Sequence, residues 1–151
     1  MKPVHLQRIA VFLLVVLVAS IGVASAQSKK DKKRAQELVT SGDKAFRARN
    51  FRQASSDYGQ AILIVPNNPH AHYWKAYSHY NLKENADALR EFEIALSQGF
   101  KPIDVYRVRW FLHYEAKEYD AALSDLTKAI QIEPDNLDFK KGMGEIFYAQ
   151  G

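Results

Sequence analysis

The stretch EYDAALSDLTKAIQIEPDN, residues 118–136, decides the fold because the chain says it more than once. Moved back by 68 residues, NFRQASSDYGQAILIVPNN at 50–68 carries the same skeleton: Phe51, Ala54, Tyr58, Ala61, Ile62 and Pro66 stand where Tyr119, Ala122, Leu126, Ala129, Ile130 and Pro134 stand. Half-way between them Ala88, Phe92, Ala95 and Leu96 mark a third copy, so the period is 34 residues. Self-similarity at such a period signals stacked supersecondary units, each too small to bury its own apolar face.

Within each period the apolar spacing is helical. Leu38, Gly42, Ala45 and Phe46 share one face at steps of three and four, and after Asn50 the run Phe51, Ala54, Tyr58, Ala61, Ile62 makes the face of a second helix. Pro66-Asn-Asn-Pro69 closes the pair: proline does not continue a helix, Asn68 is suited to cap the next one, and Pro69 fits its first turn. The second unit runs through Tyr73, Trp74, Ala76, Tyr77 and Tyr80, turns at 81–85, and ends at Gly99, with its proline displaced to Pro102. Gly99 is expected in the left-handed conformation that terminates helices. The third unit spans 103–136, Asn136 is positioned to cap one more helix, and 137–150 repeats only a first helix. That last helix reads either as a solvating cap, with Asp138, Lys140, Lys141 and Glu145 outward, or as the start of a longer array.

The N-terminus belongs to a different class. Lys2 and Arg8 precede an aliphatic run from Ile9, and Ala24-Ser-Ala26 comes after it; this is the charged, apolar and small-residue order of a secretory signal peptide, with cleavage expected after Ala26. The other reading is an uncleaved membrane anchor, for which the apolar run at 9–24 is shorter than the roughly 20 residues of a spanning helix. An exported protein, periplasmic or secreted, is expected, meeting the membrane only transiently through this segment. There is no cysteine, so neither disulfides nor thiol chemistry contributes.

The formal net charge of +4 is concentrated at this end. Lys2 and Arg8 belong to the signal segment, and Lys29, Lys30, Lys32, Lys33 and Arg34 to a polar arm at 27–34, which reads as a solvated arm or a first helical turn. From Ala35 onward the chain is slightly acidic. No basic stripe survives, and nucleic acid is not expected as a partner.

These residues resemble the tetratricopeptide repeat family. The match rests on a small residue in the first helix (Gly42, Ala76, Gly144), an aromatic opening the second (Phe51, Tyr119), and the three alanine pairs Ala54/Ala61, Ala88/Ala95 and Ala122/Ala129, with Pro66 or Pro134 closing. The resemblance covers three full copies, 35–68, 69–102 and 103–136, and a half copy, 137–151. It implies an all-α, right-handed superhelical solenoid of antiparallel hairpins. Two departures stand out: Trp110 occupies the small-residue place, so the third hairpin is expected to splay or turn its indole outward, and Asn85 replaces the aromatic of the second unit. The second and third units are expected to be the least regular.

No catalytic set emerges. His70 and His72 point to different sides of a helix, and His79 and His113, one period apart, are too few for a zinc site and read as replacements of core aromatics. Neither a nucleophilic triad nor a glycine-rich phosphate loop is present. An enzyme, a metal, a cofactor and a small-molecule substrate are accordingly not expected.

The resemblance implies instead a concave face, lined by the first helices, that receives an extended peptide or partner helix. Carried over residue by residue, that face holds Val39, Asp43, Phe46 and Arg47; His70, Tyr73, Trp74, Tyr77 and Tyr80; Asp104, Arg107, Val108, Phe111 and Tyr114; Lys141, Glu145 and Tyr148. Phe46, Tyr80, Tyr114 and Tyr148 recur at intervals of 34 and form an expected aromatic ladder. Tyr73, Trp74, Tyr77, Tyr80, Arg107, Phe111 and Tyr114 are the expected partner-binding residues. A family subtype clamps a terminal carboxylate with Lys, Asn and Arg, but the matching places here hold Val39, Asp43, Trp74, Asp104 and Val108, unsuited to that task. The expected role is an adaptor in a cell-envelope assembly; self-association through the last helix is the alternative.

Overall fold

A computed structural model describes residues 28–151, and the signal segment expected at 1–26 lies outside them. Seven helices succeed one another among the described residues: α1 at 28–47, α2 Phe51–Ile64, α3 Pro69–Asn81, α4 Asn85–Ser97, α5 Pro102–Glu115, α6 Tyr119–Ile132 and α7 Leu137–Gln150. None is long and apolar enough to cross a membrane. The basic stretch at 28–34 is helical and exposed, the first turns of α1 rather than a separate arm, with Lys33 paired to Glu37 at 3.8 Å.

Local chemistry sets the boundaries. Asn50, Asn68 and Asn136 accept from the backbone N–H groups of Gln53, Ala71 and Asp138 at 3.2, 3.0 and 3.1 Å, so each satisfies a donor the first helical turn leaves free. At the other ends the chain turns through left-handed residues. Gly99 lies at φ +87°, as expected, but Arg49, Lys83 and Lys117 do the same at +59°, +64° and +60°, one per hairpin and 34 residues apart. Each is succeeded by an N–H that reaches back to close the helix: Asn50 to Ala45, Glu84 to His79 and Glu118 to His113, at 2.8–3.0 Å.

The core is one column of repeated contacts. Ala54, Ala61, Ala88, Ala95, Ala122 and Ala129 are fully buried, as are Tyr58, Phe92 and Leu126 between them. The alanines let helices approach closely while the larger side chains fill the space between. Opposite that larger side chain sits the small-residue place of the first helix, and the two trade volume: Gly42 faces Tyr58, Ala76 packs with Phe92, and Trp110 packs in the cluster of the smaller Leu126. The Trp110 indole also leans forward onto α7. A Cβ built on Gly142 would lie 3.0 Å from its Cη2, so the partner of the anomalous indole is a glycine two residues before the Gly144 that the repeat register singles out. Gly144 itself is exposed, with nothing near its Cβ position.

Between units the backbones come closest where α2 packs along α3 and stand furthest apart where α4 meets α5, a junction filled by Phe92 of α4 and Val105 and Leu112 of α5. Phe100 stands where the other units have Pro66 and Pro134, and its ring stacks on Tyr73 at 4.2 Å. The hairpins of the second and third units, α3 with α4 and α5 with α6, are closely packed; between them opens a cleft of about 400 Å³ lined by Leu89, Arg90, Glu93, Arg109, His113 and Lys128.

Candidate functional site

The first helices α1, α3, α5 and α7 carry the expected binding face, and its best-formed part lies on α1 and α3. Phe46 meets Trp74 edge-on at 4.9 Å and stacks with Tyr77 at 5.5 Å. Tyr77 in turn stacks with Tyr73 at 6.1 Å and with Tyr80 at 5.7 Å. All five rings are half-buried, so each keeps one side in the packed layer and offers the rest to solvent. A second, smaller group comprises Trp110, Phe111, Tyr114 and Tyr119, with centroids 5.8–6.5 Å apart.

The expected ladder is staggered. Phe46 faces Tyr77, one turn before Tyr80 on α3, and Tyr114 leans on Tyr119 of its own hairpin. Tyr148 is 90% exposed at the far end. Tyr73 is anchored between Phe100 and Phe92, and burial with the nearby Asp104 carboxylate pushes its hydroxyl pKa up to about 12. Arg107 is already engaged: its guanidinium donates twice to Glu133 at 3.2 Å and lies over the Phe139 ring.

At the α1 end the rings turn a corner around a carboxylate. Asp43, Phe46, Arg47, Tyr58, His70 and Trp74 line a recess of about 130 Å³. Asp43 Oδ1 accepts the Tyr58 hydroxyl at 2.7 Å and faces His70 Nε2 at 3.5 Å. Burial, reinforced by this bond to a carboxylate, raises the Tyr58 hydroxyl pKa well above its ordinary value, so it remains a donor.

Sequence reading missed a second periodic set. Asp57, Glu91 and Asp125 are buried one period apart, and each takes bonds from its own first helix. Ser41 Oγ and Gln53 Nε2 donate to Asp57 at 2.7 Å; Lys75 Nζ donates to Glu91 at 2.7 Å, with His72 Nδ1 at 2.6 Å; Arg109 grips Asp125 at 2.6 and 2.7 Å. Burial pushes the Glu91 carboxyl up, but the bonds from Lys75 and His72 outweigh it and hold the pKa below the ordinary carboxylate value. The bond to Asp125 outweighs burial at Arg109 and raises that pKa. The spacing of these acids was legible; their burial was not, since an acid on a helix is usually solvated.

The two stacked histidines have a similar structural employment. His79 Nδ1 and His113 Nδ1 bond Glu84 and Glu118 at 2.5 and 2.7 Å, taking up the carboxylates of two residues that precede helices without capping them. Ligand atoms of His79, Glu84 and Asp87 lie within 4.8 Å of one another. However, His79 Nε2 is also bonded to Ser55 Oγ at 3.1 Å, and Asp87 is paired with Arg90, so the group reads as a staple between hairpins.

Comparison with known proteins agrees with this architecture. Residues 39–101 match a tetratricopeptide repeat family model. The chain is similar to small glutamine-rich tetratricopeptide repeat-containing protein 2 of Saccharomyces cerevisiae, with 30% identity over 105 residues that make up 70% of this chain and 30% of that protein. It spans about a third of the length of the curated relatives it matches. Among solved structures it resembles MamA, with a TM-score of 0.75 and 16% identity across 84% of this chain and 74% of that one. It also resembles the first repeat domain of Spaghetti (RPAP3) bound to the HSP90 peptide SRMEEVD, with a TM-score of 0.72 and 21% identity across 79% and 94%. At these identities the likeness is one of fold.

Proposed function

We propose that this tetratricopeptide-repeat solenoid is a non-catalytic interaction scaffold that holds an extended peptide or partner helix along the inner layer of α1, α3 and α5, with Tyr73, Trp74, Tyr77, Tyr80, Phe111 and Tyr114 as the contact surface and Arg107 at its margin. The observation that carries the reading is the continuous run of half-buried rings from Phe46 to Tyr80. Tyrosine and tryptophan supply large contact area with few rotors to freeze, which suits them to anchoring a partner. That a neighbour of the same fold binds a short peptide supports this assignment. The N-terminal segment supports placement in a cell-envelope assembly, in the periplasm or outside the cell.

Screening the purified chain against an array of envelope-protein peptides tests the reading. Binders should lose affinity by about tenfold or more when Tyr77→Ala and Tyr80→Ala are combined. Unchanged affinity with intact helicity would sink the assignment.

A second reading is favoured by one observation. Leu137 at the start of α7 and Phe147 and Tyr148 at its end are 74%, 56% and 90% exposed, apolar side chains by which the end of one solenoid could stack on another copy. Sedimentation should then show a concentration-dependent dimer that Phe147→Glu abolishes.

A further inference from the structure

We infer that the inner face selects a basic partner segment, with a lysine or arginine seated against Asp43 in the recess between α1 and α3. This rests on the groove reading above and adds the chemistry of its occupant. The Asp43 recess has the parts a cation needs. Oδ1 is committed to Tyr58 and faces His70, whereas no bond to Oδ2 forms among the described residues, so one lone-pair face of a half-buried carboxylate remains to be satisfied. Phe46 and Trp74 meet there at 66°, presenting two ring walls to the space beside it, and aromatic faces attract ammonium and guanidinium groups within about 6 Å. About 130 Å³ admits the end of one side chain.

Arg47 and His70 line the same recess; Arg47 is exposed and makes no ion pair with Asp43 among the described residues, and His70 Nε2 faces Oδ1 at 3.5 Å. The aromatic run therefore ends, on the α1 side, at a carboxylate with spare acceptor capacity. Complementary charge at an interface sets selectivity and encounter rate, and like charge is rejected.

The test uses three labelled probes on the full chain, read by fluorescence anisotropy: an end-blocked peptide alternating lysine and leucine, its counterpart with glutamate for lysine, and the acidic peptide SRMEEVD. The basic probe should bind at least about tenfold more tightly than either acidic one. Asp43→Asn should remove most of that margin, since asparagine still accepts from Tyr58 while losing the charge. Asp120→Asn, on the opposite layer, is the control for general electrostatics and should leave the margin intact. Equal binding of all probes, or a margin unmoved by Asp43→Asn, overturns the inference while leaving the groove standing if Tyr77→Ala with Tyr80→Ala still weakens binding. Failure of every probe, together with envelope peptides insensitive to the tyrosine substitutions, overturns both.

Discussion

Replacing Gly42 with alanine adds one methyl group to the interior of α1, and the structure specifies what it meets. The new Cβ would lie 2.8, 2.9 and 3.0 Å from Cε1, Cδ1 and Cζ of Tyr58, closer than carbon atoms pack. Tyr58 has no room to yield: it is fully buried, and its hydroxyl is tied to Asp43 at 2.7 Å. Overpacking of this kind costs about 1–3 kcal/mol; against it stands the roughly 1 kcal/mol by which alanine outperforms glycine inside a helix. With the ring pinned, the overpacking end of the range applies, and Gly42→Ala should destabilise by about 1–2 kcal/mol. Gly144→Ala is the matched control, because nothing lies within 4 Å of its Cβ position and the residue is exposed; it should stabilise by about 0.5–1 kcal/mol. Urea unfolding followed by circular dichroism reads both, as opposite shifts of the midpoint at constant slope. In a Tyr58→Phe background, where the ring is released from Asp43, the Gly42→Ala cost should shrink by about 1 kcal/mol. If Gly42→Ala stabilises as much as Gly144→Ala does, the volume exchange between small first-helix residue and opposing ring is wrong.

The other expectations concern the buried acids and the turns. Asp125→Ala strands the mostly buried Arg109 guanidinium and should cost about 3 kcal/mol in the same unfolding measurement. Because the Glu91 pKa is depressed in the folded chain, its contribution is complete above the unfolded carboxylate value of 4.5 and is lost as pH falls below that, through the depressed value. The Glu91→Gln chain should therefore show a shallower loss of stability on the acid side of that value when melting is followed against pH. Lys83→Gly relieves a left-handed side-chain residue at φ +64°; allowing for the extra freedom of glycine in the unfolded chain, a gain of about 0.5 kcal/mol is expected in thermal melts.

The solenoid was readable because its determinants are local and recur: the alanine pairs, the asparagine caps and Gly99 act over a few residues of chain, so 34-residue spacing carries their meaning intact. What escaped depends on reach across helices. Trp110 was expected to splay its hairpin or point outward, yet the indole found room over Gly142 on the next first helix, a partner that lies outside the repeat register. Arg107 was placed in the groove by analogy of position, and its long side chain instead spans to Glu133 at the end of α6. Ser41, Lys75 and Arg109 also occupy one register, but three different residue types conceal a shared task of holding a buried acid. Periodicity discloses backbone placement; it does not disclose where a flexible side chain ends.

The wider approach of α4 and α5 has a consequence for the groove. Their backbones come less close than those of the other successive helices, yet fully buried Val105 and Leu112 of α5 share one apolar cluster with Ala76, Ala88 and Phe92. The aromatic patch on α1 and α3 and the smaller one on α5 lie on either side of this junction, so the side chains filling it, Phe100 against Tyr73 among them, act as a spacer that fixes the reach between the two patches.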